Sequence, residues 1–303
     1  MPKPLDSETG LSEVTRGAQL SIVLPAKNEA ASLATLLGEL KQQVPDAEFI
    51  VVDDGSTDDT VAVCKQHRVL VVSQPYSMGN GAAIKAGARV AAGEILVFMD
   101  ADGQHRPEDI PQLLARLVEG VDMVVGARGK GSQASVHRGI GNKIYNHLAS
   151  WMVGQKIADL TSGFRVVRAE KFRQFLYLLP NGFSYPTTIT MSFFRAGYGV
   201  VYEPIHAPRR IGASHLRLVR DGLRFFLIIF KIGSLYSPLK LFAPAALGHL
   251  LLGLGYYAFT YVTQHRFPVV TVFLLSAAVT IFMIGLVSEQ ITALMYKDSS
   301  TRD

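Results

Sequence analysis

Two apolar runs near the end of the chain, Leu241 to Val262 and Phe267 to Met295, limit every architecture the remaining residues can adopt. At about 1.5 Å per helical residue, each run can cross a hydrocarbon core of about 30 Å. Lys, Arg and Asp are absent from both, and only the short segment Thr263 to Arg266 joins them. The pattern predicts a transmembrane hairpin rather than two buried core helices. Two spans return the chain to the side it left, and no signal-like segment or other long apolar run precedes Leu241. The globular part is therefore expected on the cytoplasmic side, and Lys240, Lys297 and Arg302 against Arg266 agree in sign.

Ahead of the hairpin, strand and helix patterns alternate. Gln19–Ala26, Phe49–Val52, Val69–Ser73, Glu94–Met99 and Asp122–Gly126 read as strands. Glu29–Lys41, with Leu33, Leu36, Leu37 and Leu40 at helical spacing, and Gly81–Ala92 read as helices. A further helix follows DDGSTDDT, with Ser56 or Thr57 as its expected cap and Asp58 and Asp59 in its first turn. Such alternation predicts an α/β fold, a mostly parallel sheet covered by helices on both faces. The expected domains are a loose tail (1–17), a catalytic domain (18–215), an interfacial helix (216–238), the hairpin (239–296) and a short tail (297–303).

Cys64 is the only cysteine, which excludes an intrachain disulfide or a multi-cysteine metal site and fits a reducing compartment. The net charge of +5 does not imply nucleic acid, because no basic helical face interleaved with aromatics occurs ahead of residue 216. Anionic lipid or phosphate-bearing substrates account for it equally well.

In parallel sheets, ligands gather beyond the carboxyl ends of the strands. Pro25–Glu29, Asp53–Ser56 and Asp100–His105 all lie at such ends. If strand geometry persists past Met99, Asp100, Asp102 and Gln104 leave on one face. Three hard oxygen donors suit Mg2+ or Mn2+, which keep waters and share their shell with substrate phosphates. Alternatively, Asp102 and Gly103 make a turn and Pro107 starts the next helix; that chemistry leaves Asp100 and Gln104 unexplained.

The segments SIVLPAKNEAASL, VVDDGSTDDT, FMDADGQH and DLTSGFRVVR, in that order, resemble family 2 glycosyltransferases of the A-type (GT-A) fold. More narrowly, they are similar to the polyprenyl-phosphate group, which includes dolichyl-phosphate mannose synthases and bacterial undecaprenyl-phosphate glucosyl and aminoarabinosyl transferases. The resemblance spans roughly residues 19 to 215. It implies that Pro25, Asn28, Glu29, Asp53, Asp54 and Asp100 line the nucleotide, while Asp100, Asp102 and Gln104 bind the metal. It implies phosphate or acceptor contacts from Arg128, Arg138, Ser162, Arg165, Arg210 and Ser214, with Gly163 nearby and Asp159, Arg128 and Arg210 as catalytic groups. Arg210, Gly212 and Ser214 match an R-x-x-G-x-S loop whose next position is commonly Lys; here it is His215.

The implied reaction moves a hexose from a UDP- or GDP-linked donor to a polyprenyl phosphate. Such an acceptor is largely a dianion at pH 7, so Asp159 is expected to orient or act as a modest base. The segment 216–238 supports a membrane acceptor: Arg217, Arg220, Arg224 and Lys231 fall on one helical side, and Leu223, Phe226, Leu227 and Phe230 largely on another. His249, mid-span, is expected in a helix-to-helix contact within or between subunits, which leaves a homo-oligomer open. His105 is expected to support the site rather than bind metal. Alternatives are a non-catalytic membrane-anchored sugar-nucleotide-binding protein and a glycosyltransferase with another lipid acceptor. A processive synthase is disfavoured because no Q-x-x-R-W surrounds the single Trp151, and a dinucleotide enzyme because no G-x-G-x-x-G follows the first strand.

Overall fold

The computed structural model describes residues 19–128, 136–182, 184–205, 230, 233–234 and 236–300, with backbone alone at 136–142 and 296–300. Arg210, Gly212, Ser214, His215 and most of the segment 216–238 lie outside the described residues, as do the side chain of Arg138 and the tail 1–17. The chain divides into two compact units; Met152–Gly154 and the C-terminal helices form the second.

The first unit runs β1 (Leu20–Ala26), α1 (Ala30–Gln43), β2 (Glu48–Asp53), α2 (Thr60–Gln66), β3 (Leu70–Ser73), α3 (Asn80–Val90) and β4 (Ile95–Phe98). A 3-10 turn (Pro107–Asp109), α4 (Ile110–Ala115), β5 (Met123–Arg128), α5 (Val136–Val153), β6 (Arg165–Arg168), α6 (Ala169–Arg173), α7 (Tyr185–Arg195) and β7 (Val200–Ile205) follow. The expected strands and helices up to β5 lie within one or two residues of those observed. Leu33, Leu36, Leu37 and Leu40 are buried on the sheet, as their spacing requires.

The seven strands form one sheet in the order β3-β2-β1-β4-β6-β5-β7. It is mixed: β6 runs antiparallel to both β4 and β5, whereas every other pair is parallel. Sequence alternation does not reveal this strand, because Arg165–Arg168 offers only two valines between two arginines. The reversal matters for the site. Where parallel strands end at the rim, β6 begins there, so the residues just before Arg165 are delivered to the same edge.

The expected cap of α2 is corrected. Ser56 and Thr57 lie ahead of the helix, Asp59 holds the N-cap position, and Asp58 Oδ1 instead accepts from the Thr60 amide at 3.1 Å. Ser56 and Thr57 are drawn away by Asn28: Ser56 Oγ accepts from the Asn28 amide at 2.9 Å, and Asn28 Oδ1 accepts from the Thr57 amide at 2.8 Å.

In the second unit, α8 (Pro238–Gln264) and α9 (Val269–Ser300) form a helical hairpin. Both are long and apolar enough to cross a membrane. Two glycines let them approach: a Cβ at Gly285 would meet Phe242 Cβ at 2.8 Å, and one at Gly253 would meet Leu275 Cδ2 at 3.1 Å. Glu289 Oε2 accepts from the Leu239 amide at 3.3 Å, meeting an amide of α8's first turn that has no intrahelical acceptor. His249 Nδ1 pairs with the Ala245 carbonyl of its own helix at 2.9 Å.

Candidate active site

Because β1 lies between β2 on one side and β4 on the other, the chain reverses its direction of winding beside β1, the position where open α/β sheets bind ligands. Register brings the three loops level. Ala26 pairs with Asp53, the Asp54 amide donates to the Ala26 carbonyl at 2.8 Å, and the Met99 amide donates to the Val23 carbonyl at 3.3 Å.

Asn28, expected near the nucleotide, adopts a left-handed φ of 57°, a conformation asparagine tolerates better than most residues. It fastens the β1 loop to the loop after β2, as does the Glu29 amide, which donates to Thr60 Oγ1 at 3.0 Å. Pro25 is buried in β1 opposite Val52 and belongs to the sheet rather than to the surface of the rim. Asp53 Oδ1 accepts from the Ser56 amide at 2.9 Å, and among the described residues no donor pairs with Oδ2.

Asp54 is bound to the loop before α3. Its buried carboxylate accepts from Ser77 Oγ at 2.8 Å, from the Met78 amide at 2.6 Å and from the Gly79 amide at 3.1 Å. It organises the loop before α3. Lys27 Nζ joins the same network through Ser77 Oγ at 2.9 Å, placing an ammonium at the rim that the sequence patterns did not single out.

Past β4 the strand geometry does not persist. A turn with Gly103 at φ 72° folds Gln104 back, so that its Nε2 donates to Asp102 Oδ2 at 2.7 Å and its amide to Asp102 Oδ1 at 3.1 Å. Asp102 and Gln104 are thus joined by a turn rather than by a shared strand face with Asp100. Among the described residues, no donor hydrogen-bonds to the Asp100 carboxylate, which packs against the backbone of Gly163; a Cβ there would stand 3.1 Å from Asp100 Oδ2.

No cluster of three or more His, Cys, Asp or Glu side chains suited to a metal occurs among the described residues. Two carboxylates and an amide oxygen fit a hard divalent cation that takes its remaining ligands from water and phosphate. They would not suit a closed structural zinc. His105 is buried behind this turn, its ring centroid 5.0 Å from that of Phe164. Burial holds its imidazole below the ordinary value against the opposing pull of Asp100 and Asp102.

On the other flank, β5 ends in Arg128 and the segment entering β6 carries Asp159, Thr161 and Ser162. Arg128 Nε lies 2.8 Å from Asp159 Oδ2 and Nη2 lies 3.0 Å from Oδ1, a two-pronged ion pair. Burial pushes the Asp159 carboxyl up, but the hydrogen bonds and charge of Arg128 outweigh it and hold Asp159 below the usual carboxylate range. The same bonds raise Arg128. Asn146 of α5 grips this segment from behind: its Nδ2 donates to the Ala158 carbonyl at 2.8 Å, and its Oδ1 accepts from the Leu160 amide at 3.1 Å.

Arg165 is corrected as a phosphate contact. It is fully buried beneath the rim, where Nη2 donates to the Ser162 carbonyl and Nη1 to Thr190 Oγ1 at 3.2 Å and the Pro186 carbonyl at 3.3 Å. It braces the Ser162–Gly163 backbone from inside. Ser162 Oγ is buried with no hydrogen-bond partner among the described residues.

Residues 21–176 match the profile of glycosyl transferase family 2, and residues 237–294 match the GtrB C-terminal hairpin. The chain is 32% identical over 209 residues to the undecaprenyl-phosphate mannosyltransferase of Micrococcus luteus, covering 64% of this chain and 86% of that protein. It is 30% identical over 236 residues to the polyprenol monophosphomannose synthase of Mycolicibacterium smegmatis, covering 71% and 89%. Glucosyl-3-phosphoglycerate synthase from Mycobacterium tuberculosis, crystallised with Mn2+, UDP and glucosyl-3-phosphoglycerate, shares the fold, with a TM-score of 0.59 at 22% identity over 77% of this chain and 85% of that one. The chain belongs to glycosyl transferase family 2 and is a glycosyltransferase.

Proposed function

We propose that this enzyme transfers a hexose or modified sugar from a UDP- or GDP-linked donor to the phosphate of a polyprenyl phosphate, at the cytoplasmic face of a membrane and with inversion at the anomeric carbon. The observation that carries this reading is the joining of a family 2 site to a C-terminal apolar hairpin in one chain. The two relatives, both named for mannose transfer to polyprenyl carriers, support it.

In this reading the rim at β1 and β2 takes the nucleotide, with Asn28, Glu29 and the open oxygen of Asp53 beside it. Asp100, Asp102 and Gln104 would hold Mg2+ or Mn2+. When bound, that cation supplies positive charge to the donor diphosphate. Gly163 leaves room for the Asp100 carboxylate beside it, and Gln104 braces Asp102.

Arg128 faces the acceptor flank with a charge that does not titrate, and Arg138 and Arg210 are assigned to the same duty. An oxygen of the phosphate dianion forms the new bond to the anomeric carbon, and the electron pair of the old carbon–oxygen bond leaves with the nucleoside diphosphate. No proton changes hands, since the acceptor's second ionisation lies near pH 6 by analogy with phosphorylated side chains.

The test is to incubate the purified full chain in detergent with undecaprenyl or dolichyl phosphate, Mg2+ or Mn2+, and a panel of sugar nucleotides beginning with mannose donors. Release of nucleoside diphosphate matched by an inverted glycolipid is expected. Consumption of no donor, or a product of retained configuration by NMR, would overturn the lipid-acceptor or the inverting part respectively.

A further inference from the structure

Among the described residues Asp159 is the carboxylate that pairs with Arg128, and a base there would need a free lone pair. It has none to spare. Oδ2 accepts from Arg128 Nε at 2.8 Å and from the Arg128 amide at 3.4 Å. Oδ1 accepts from Arg128 Nη2 at 3.0 Å, from the Thr161 amide at 3.1 Å and from Thr161 Oγ1 at 3.2 Å. Five donors therefore converge on two oxygens that offer about four lone-pair sites. The side chain is only 10% exposed.

Thr161 closes the arrangement. Its hydroxyl gives its single hydrogen to Asp159 and accepts from Arg128 Nη2 at 2.6 Å. A guanidinium has five N–H donors. The hydrogen on Nε and both on Nη2 are now spoken for, whereas Nη1 has no acceptor among the described residues. The Arg128 side chain is 34% exposed, so a ligand can reach it.

Both halves of the contact are rigidly based. Arg128 ends β5, and the Gly126 amide donates to the Phe164 carbonyl at 2.9 Å, tying β5 to the segment that carries Thr161.

We infer that Asp159 and Thr161 are positioning residues that lock the Arg128 guanidinium edge-on, so that its free Nη1 edge meets the acceptor phosphate, and that neither of them moves a proton. This rests on the acceptor being a phosphate, as proposed above. A side chain as long as arginine loses much rotamer freedom on binding a ligand; locking it beforehand removes that cost from the binding step.

The experiment uses the full chain in detergent, with wild-type turnover of polyprenyl phosphate established first and the lipid phosphate then varied. Thr161→Val is expected to raise KM for the lipid phosphate about fivefold to tenfold, the scale of the net contribution of one ordinary hydrogen bond, with kcat within about twofold. Thr161→Ser, which keeps the hydroxyl, restores the wild-type KM. Asp159→Asn raises the same KM further. Combined with Arg128→Gln, it adds nothing to the loss caused by Arg128→Gln alone, because it acts only through Arg128.

Two results overturn the inference while leaving the function intact: an active wild type whose Thr161→Val variant has an unchanged KM, or an Asp159→Asn variant that loses about a hundredfold or more in kcat at unchanged KM, the mark of a lost base. A wild type that turns over no lipid phosphate overturns the functional reading instead, and this inference falls with it.

Discussion

Replacing Gly163 with alanine is the most economical probe of the acidic turn, because it touches Asp100 without altering any proposed ligand. Gly163 is not among the glycines with positive φ, so its backbone accepts a side chain. The added Cβ would stand 3.1 Å from Asp100 Oδ2 and 3.4 Å from Oδ1, closer than most such contacts, so the carboxylate must retreat by a few tenths of an ångström. Metal–oxygen distances near 2.0–2.1 Å tolerate about 0.2 Å of error. Partners that orient metal ligands carry about 10- to 100-fold in affinity. Alanine displaces Asp100 rather than deleting it, so the lower end applies, about tenfold or about 1.4 kcal/mol. The assay is an EPR titration of Mn2+ with saturating nucleoside diphosphate, alongside thermal unfolding, which should be unchanged. If Gly163→Ala binds Mn2+ like the wild type while Asp100→Ala does not, the coupling between Gly163 and the Asp100 carboxylate is refuted.

Asp54→Asn should cost about 2 kcal/mol of stability, because a buried carboxylate receiving the Ser77 hydroxyl and the Met78 and Gly79 amides becomes a neutral amide that faces N–H groups with an NH2; chemical denaturation that shows no loss would contradict this. The stability supplied by ionised Asp159 is present above the ordinary carboxylate value of 3.8 and is lost as pH falls through its lowered folded value. The gap in unfolding temperature between wild type and Asp159→Asn should thus be flat above about pH 5 and shrink below about pH 4; a gap that widens on acidification contradicts the ion pair. Gly285→Val should loosen the hairpin, since a Cβ there would meet Phe242 Cβ at 2.8 Å; faster proteolysis of the C-terminal helices in detergent, with the catalytic unit's melting unchanged, is the expected readout.

The rim at the ends of β1, β2 and β4 was largely legible in the sequence because its signals are local. Four leucines at helical spacing placed α1, and polar clusters directly after hydrophobic runs placed the rim at β1, β2 and β4. The partners of Asp54 were not legible, because the amides of Met78 and Gly79 lie more than twenty residues on.

The flank at Arg128 and Asp159 was harder for the same physical reason. The bonds of Arg128 to Asp159 and Thr161 span 31 and 33 residues and exist only because β6 enters the sheet reversed, which a four-residue strand with an arginine at each end does not announce. Arg165 was expected at the acceptor only because the segment DLTSGFR resembles the family's. Only the depth of β6, paired on both sides, shows that it is an internal brace.

That reversed strand has a consequence for how such an enzyme can diversify. The chain leaves the sheet at Arg128 and re-enters just after Asp159, and these two residues clasp each other at the point of departure and return. Whatever is lengthened, shortened or exchanged between them hangs from a closed neck. The strands β1, β2 and β4 need not register the change, so under the proposed function this part of the chain can vary while the rim at β1 and β2 stays as it is.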